Sequence, residues 1–347
     1  MSELSHSVVF ATDVLLPLTE VAREAADAGF NRAWTTEYPG RDAIARAQYL
    51  ASSTEDITVG PGIAYAFTRP PLAMAALAAD AYTVTGGRFM LGLGAGTRGL
   101  RSRFYGVDDF DRPAPRLAEY VELMRAAWRA TDGLHFAGRF YQAEIPQYEN
   151  PHDPEALAGL EVFGSGLNAV MLRHAARACD GIALHPLAGA EHYLRDVVAP
   201  AVRTGAAEAG ATRRKLACWA IVSLDDDEKV ARERARMALA FYFSTPSYRT
   251  IAENAPWEDA VTAIRDGFRD SGSDWSGLAR LVPDEMVDDL TIAGTPDVAR
   301  TQLSEVEKRY AENGATEIVF QTVGVGLTPE EVVGNCRRIV RELRPQR

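Results

Sequence analysis

Cysteine is scarce in this chain. There are three in 347 residues, Cys179, Cys218 and Cys336, and no C-x-x-C pair. An odd count without that spacing indicates neither a disulfide framework nor a zinc site. Each cysteine reads as a small hydrophobe in a core. Positive charge is also in deficit: Lys plus Arg total 37 against 48 Asp plus Glu, a formal net charge of −11. Nucleic acid and anionic membrane surfaces need a positive footprint, so neither is an expected partner. A small anionic ligand stays compatible, because a few backbone N–H groups and one arginine can hold a phosphate locally. Long apolar runs are missing. No stretch approaches the ~18 uninterrupted apolar residues of a membrane span. Residues 1–18 lack a basic segment, and Asp13 breaks their apolar run. The chain is therefore expected to be cytoplasmic. Repeats of solenoid period and low-complexity linkers are absent as well.

Apolar residues make up 47% and charged residues 24% of the chain, an ordinary globular balance with ample material for a core. Short β-branched runs alternate with longer segments at helical spacing. Strands are expected at 8–13, 32–37, 57–65, 89–93, 160–163, 181–185, 215–224 and 316–322. Helices are expected at 17–30, 42–53, 70–84, 116–128, 169–179, 190–209, 226–242 and 329–343. A hairpin around Gly138 interrupts the rhythm after strand four, and scattered Pro, Gly and Trp over about 244–292 suggest short inserted helices after strand seven. Eight such alternations predict one (β/α)8 TIM-barrel domain over 1–347. Chemistry in that fold sits where strands end at their C-terminal face. The candidates are then Asp13, Glu37, Tyr38, residues 62–65, 94–97 and 165–168, His185, Ser223, Gln321 and Thr322.

Gly94, Gly96 and Gly99 fit G-x-G-x-x-G directly after a strand, and Glu119 follows twenty residues past Gly99. Alone this reads as a dinucleotide-binding fingerprint. That motif needs a helix opening inside the glycine turn. Residues 100–111 carry Gly106 and several acidic residues, and a helix is expected only from near Pro115. The glycines read instead as a turn, or as backbone passing close to a flat ring.

Several motifs occur in order: Gly86-Gly87-Arg88-Phe89-Met90-Leu91-Gly92-Leu93-Gly94-Ala95-Gly96, Arg103-Phe104-Tyr105-Gly106, Arg116-Leu117 with Glu119-Tyr120, Phe140-Tyr141 and Cys179-Asp180-Gly181. Together they resemble the luciferase-like monooxygenase superfamily over nearly the whole chain. Pro61-Gly62-Ile63-Ala64, His185-Pro186, Ser244-Thr245-Pro246 and Asp284-Glu285-Met286 are similar to its coenzyme F420-dependent branch. The resemblance implies an oxidoreductase that passes a hydride between the deazaflavin and an organic small molecule. The alternative is a two-component monooxygenase using reduced FMN, oxygen and a partner flavin reductase. A third reading is a flavin-binding barrel without catalysis. Relatives commonly form homodimers, and no metal is implied.

The resemblance also implies site roles. A non-prolyl cis peptide is expected at Gly62-Ile63, with Ala64 beside it, behind the central ring of the cofactor. Gly94, Gly96 and Thr97 would line the same ring. Ser165, Gly166, Leu167 and Asn168 precede a helix, whose free N–H groups suit a phosphate on their own account. The resemblance puts the cofactor phosphate there, with His185 nearby. Glu37 and Tyr38 end strand two, where relatives often carry histidine. A tyrosine hydroxyl, with a pKa near ~10, is a poor base at neutral pH, so Glu37 and Tyr38 both remain candidates for proton transfer. Thr97 stands where some deazaflavin dehydrogenases have a carboxylate. Arg69, Arg98, Arg101 and Arg103 read either as a positive rim for the cofactor's acidic tail or as surface partners of Asp108, Asp109 and Asp111.

Overall fold

Strand and helix alternate through the computed structural model, which describes residues 4–108 and 111–345. Asp109 lies outside the described residues. In chain order the strands are β1 (Ser5–Phe10), β2 (Arg32–Thr35), β3 (Thr58–Pro61), β4 (Ala64–Tyr65), β5 (Leu91–Gly94), β6 (Leu134–Ala137), β7 (Gln142–Ile145), β8 (Val162–Gly164), β9 (Gly181–Ala183), β10 (Lys215–Leu224), β11 (Thr291–Gly294) and β12 (Glu317–Thr322). All named pairings but one are parallel. The exception is the hairpin β6–β7, which sets Leu134 opposite Ile145. Parallel neighbours joined by crossover helices are the βα units expected of a (β/α)8 barrel. Among the described residues no helix is long and apolar enough to cross a membrane.

The chain forms two compact units. The first comprises residues up to Ala33, Leu184–Ala199 and everything from Leu216 onward. Here β1 pairs with β12, from Ser5 opposite Glu317 to Val9 opposite Gln321. β12 pairs with β10, from Ala217 opposite Glu317 to Val222 opposite Thr322. β10 reads as a continuous apolar run and is buried from Leu216 to Leu224, the pattern of a parallel strand covered on both faces. The closing helix Pro329–Glu342 starts in a capping box. Thr328 Oγ1 accepts from Glu331 N at 3.3 Å, and Glu331 Oε2 accepts from Thr328 N at 2.7 Å.

Two elements of this unit escaped the sequence reading. β11 pairs with the end of β10, Ile221 opposite Thr291 through Leu224 opposite Gly294. The helix Pro296–Glu312 follows it. The helix was legible, since its buried positions Ala299, Leu303, Val306 and Tyr310 recur at helical spacing. A four-residue strand offers too few alternations to stand out from coil. The expected short helices of the insertion are present at Arg249–Ala252, Glu258–Ser271, Trp275–Ala279 and Asp284–Leu290.

The second unit comprises Trp34–Ala183 and Pro200–Lys215. Its parallel order is β4–β5–β8–β9, with Tyr65 opposite Gly94, Leu93 opposite Gly164 and Gly164 opposite Ile182. Trp34 is fully buried and meets the Phe163 ring edge-on at 5.2 Å. Cys179 packs under β8, where a Cβ on Gly164 would stand 2.9 Å from its Sγ. All three cysteines are free and buried, as expected. Asp180, from the motif before β9, accepts from Val162 N at 2.8 Å and pairs with Arg125 at 2.8 Å. That aspartate joins β8, β9 and the helix Pro113–Arg129.

Candidate active site

Three of the expected strand ends converge in the second unit. A Cβ on Gly94 would collide with Ile63 Cδ1 and would lie 3.5 Å from Ser165 Cβ. Gly62, Ile63, Gly94 and Ser165 therefore come together from β3, β5 and β8. The Gly62–Ile63 peptide is cis, where the resemblance put it, and Gly62 N donates to Thr35 O at 2.7 Å. Ala64, the first residue of β4, is buried. Gly96 has φ +66°, a conformation open to glycine at little cost. A Cβ there would also touch the Tyr65 ring at 3.0 Å.

The glycine turn does open a helix, contrary to expectation. Arg98–Tyr105 is helical, and Thr97 is its N-cap, accepting from Leu100 N at 3.3 Å. The turn therefore has the helix that a dinucleotide site requires, and what excludes such a site is its surroundings. The strand order belongs to parallel βα units of a barrel. Glu119 is committed elsewhere: its carboxylate accepts from the backbone N–H groups of Arg139 (2.9 Å), Phe140 (2.6 Å) and Tyr141 (2.6 Å), holding the hairpin turn. Arg101 corrects the arginine readings too. It is fully buried, with its guanidinium 5.3 Å from the Phe67 ring centroid, so it is not the surface arginine of either reading. Arg69 is also withdrawn from a rim, because it binds Glu37 and Asp42.

Glu37 follows β2 and is 6% exposed. Its Oε1 accepts from Arg69 Nη1 at 2.9 Å. Its Oε2 is buried with no hydrogen-bond partner among the described residues. Desolvation raises the Glu37 pKa above the ordinary carboxylate value, opposed by the hydrogen bond and charge of Arg69. The second Arg69 nitrogen reaches Asp42 Oδ2 at 2.6 Å. Asp42 is the N-cap of the helix Ala43–Ser52, accepting from Ile44 N and Ala45 N. Tyr65 donates its hydroxyl to Glu37 O at 3.1 Å, and burial pushes that phenol up. Sequence reasoning had not tied Arg69, Asp42 or Tyr65 to Glu37. Arg69 stands 32 residues from it along the chain, and no local pattern announces such a pair.

Tyr38 turns the other way. It is 46% exposed, meets the Phe104 ring at 6.3 Å, and lies under the Arg41 guanidinium at 5.5 Å. Next to it, then, the buried and partly unsatisfied group is Glu37.

Residues 165–168 form the entry to the helix Ala169–Ala178. Asn168 Oδ1 accepts from Met171 N at 2.9 Å, and Ser165 N donates to Leu93 O at 2.9 Å. Gly166 packs tightly, since a Cβ there would crowd Met171 Cβ at 2.5 Å. Leu167 is half-buried. The helix has no acidic residue in its first turn, so its N-terminal dipole is left uncompensated.

His185 belongs to the first unit. Its neighbours there are Tyr248, with ring centroids 4.4 Å apart, and Tyr242 at 5.3 Å. Its Nδ1 accepts from Leu187 N at 3.3 Å, and the Tyr242 hydroxyl accepts from Gln321 Nε2. Desolvation pushes the imidazole down to about 3, so it is neutral at pH 7 and offers a phosphate no charge. A stability consequence follows. The unfolded chain binds this proton near its ordinary pKa of about 6.5, while the folded chain resists it. The stability tied to His185 is thus complete above about pH 6.5 and is lost as pH falls toward about 3. His185→Gln is expected to lose less stability than wild type between about pH 7 and pH 4, measured by urea unfolding at each pH. Equal losses would contradict this.

Comparison with known proteins agrees with this architecture. A family model described as luciferase-like monooxygenase matches residues 7–316. A 5,10-methylenetetrahydromethanopterin reductase of Archaeoglobus fulgidus is 29% identical over 301 residues, covering 85% of this chain and 86% of that one. The solved coenzyme F420-dependent tetrahydromethanopterin reductase of Methanopyrus kandleri superposes with a TM-score of 0.78 at 21% identity, over 98% of each chain. The oxygenating constituent of 3,6-diketocamphane monooxygenase of Pseudomonas putida, solved with FMN, superposes with a TM-score of 0.67 at 16% identity, over 99% of each chain. Both superpositions show the expected TIM-barrel fold.

Proposed function

The chain belongs to the luciferase-like monooxygenase family, and on that premise we propose that it is a coenzyme F420-dependent oxidoreductase acting on a small organic substrate. The observation that carries this reading is Glu37: a nearly dry carboxyl with one oxygen held by Arg69 and the other with no hydrogen-bond partner of good geometry among the described residues. A buried polar atom left unpaired is costly. It is retained where a ligand supplies the missing hydrogen bond or where a proton must be moved.

The residues present fit the deazaflavin. Ile63 and Gly94 would bound one face of its ring, with Gly62, Ala64, Gly96 and Thr97 around them. The N-terminus of Ala169–Ala178, entered through Ser165, Gly166, Leu167 and Asn168, would take its phosphate by free N–H groups and helix dipole. When bound, the deazaflavin supplies or accepts the hydride at C5. Glu37 holds the accompanying proton at Oε2, because desolvation keeps it protonated to higher pH than an exposed carboxyl. Tyr38, half in water, is the lesser candidate and would line the entrance. The F420 reading draws on the sequence likeness to the Archaeoglobus reductase. The FMN alternative is kept by likeness of fold.

Titration of the purified protein with coenzyme F420 and, separately, with FMN, followed by quenching of each fluorophore, tests the proposal. Tight F420 binding with weak FMN binding is expected. The reverse result would replace the proposal with the two-component monooxygenase and call for a search for its flavin reductase.

A further inference from the structure

The arrangement around Glu37 contains a second carboxylate that the reaction does not need. Arg69 extends one nitrogen to each: Nη1 to Glu37 Oε1 at 2.9 Å and Nη2 to Asp42 Oδ2 at 2.6 Å. The two carboxylates are unequal. The Asp42 side chain is 46% exposed, and its other oxygen takes two backbone N–H bonds at the helix start. Asp42 thus faces water and the helix N-terminus as well as Arg69. The Glu37 side chain is 1% exposed and has Arg69 as its named cationic partner. The arginine is itself anchored, since its backbone oxygen accepts from the Tyr120 hydroxyl at 2.9 Å.

We propose that Arg69 is a positioning residue for Glu37, and that the sharing of its charge with Asp42 decides at what pH Glu37 carries its proton. This rests on the reading of Glu37 as the proton carrier and adds to it a three-residue control. In a partly desolvated site an opposite charge at hydrogen-bond distance favours the ionised carboxyl, while a nearby like charge favours the neutral one. Arg69 and Asp42 therefore act on Glu37 in opposite senses, and their directions agree with this: Arg69 lowers and Asp42 raises the Glu37 pKa. The other titratable groups gathered here are Tyr65, Tyr38, Arg41 and Tyr105. Tyr65 is engaged with the Glu37 backbone oxygen, and burial pushes both Tyr65 and Tyr105 up, so these two stay neutral across the range in which Glu37 titrates. Arg41 and Tyr38 are joined through their backbones and by the guanidinium over the Tyr38 ring. Arg69 and Asp42 are left as the pair whose removal moves Glu37.

Two substitutions then have opposite signatures. Arg69→Met removes the favourable charge and moves the Glu37 midpoint up by roughly 1 pH unit or more. Asp42→Asn removes the competitor, keeps a good N-cap, and moves the midpoint down. Arg69→Lys restores the midpoint most of the way toward wild type. A merely structural role for Arg69 has no means of producing opposed shifts.

The test uses the protein without cofactor. Side-chain carboxyl carbons of glutamate are isotopically labelled and titrated by NMR, and the Glu37 resonance is identified by its loss in Glu37→Gln. Opposed shifts are the expected result. No shift in Arg69→Met, or shifts of the same sign in both variants, would overturn the proposal. If Arg69→Met does not fold, Asp42→Asn alone decides, by a downward shift or its absence. Turnover of Glu37→Gln is read separately. Full turnover alongside opposed shifts would remove the catalytic reading and leave the network intact. Lost turnover without the shifts would do the converse.

Discussion

Replacing Glu37 by glutamine is expected to lower kcat by about 10²–10⁴-fold, the usual contribution of a positioned proton donor. Glutamine has the same shape and offers Arg69 a carbonyl oxygen in place of Oε1, so the fold and the Arg69 contact have little reason to change. What is lost is the exchangeable proton at Oε2. Tyr38→Phe is expected to have a small effect beside it, because Tyr38 is 46% exposed. The pH dependence carries a second signature. With the Glu37 pKa raised by desolvation, turnover in the direction that consumes a proton falls as pH rises through that raised value. This limb disappears in Glu37→Gln. Steady-state kcat and KM against pH, with reduced F420 and a panel of C=C, C=N and C=O compounds, measure both. A glutamine variant with wild-type kcat and an unchanged profile would move the proton to another group.

The second large effect is on stability. Gly92→Ala is expected to destabilise the protein by about 3 kcal/mol or more, at or above the upper end for overpacking. A Cβ at Gly92 would fall well under 3.0 Å from the Pro61 carbonyl oxygen and 3.4 Å from Trp34 Cζ3. The first neighbour is backbone of β3, which cannot rotate away, and the second is a fully buried indole ring. Gly94→Ala, two residues on, provides the contrast. Its Cβ would meet Ile63 Cδ1, the free end of a flexible side chain, and the expected cost is at the low end for overpacking, about 1 kcal/mol. Its larger effect would be on F420 binding, through the displaced Ile63. Urea unfolding of the two variants compares them directly. Equal stabilities would mean that β3 and β5 can move apart more readily than close packing allows.

Much of the fold was legible because it is written in local periodicity. The run 215–224 reads as a strand and is β10 residue for residue. Asn168 and Asp42 cap their helices with the residue types that position favours. The helix Arg98–Tyr105 was not legible, and the reason is physical. It is eight residues long, contains Gly99, and has a weak intrinsic preference for helix. Burial of Arg101 against Phe67 accompanies its formation, a contact that no reading of eight residues contains. Glu119 shows the opposite error, a residue at a meaningful spacing whose use was decided by a hairpin folded back onto it.

By itself, then, the sequence determined the alternation of strand and helix, the family, and the set of strand ends where chemistry could sit. Each of these depends on residues close together in the chain or on motifs in fixed order. Only the tertiary structure decided which of those ends meet, that Glu37 is dry while Tyr38 is wet, and that Arg69 is divided between Glu37 and Asp42. Burial and charge pairing belong to surfaces brought together from distant segments. The free energy of a carboxyl group depends on what surrounds it in space, and one-dimensional order carries no record of that until the chain has folded.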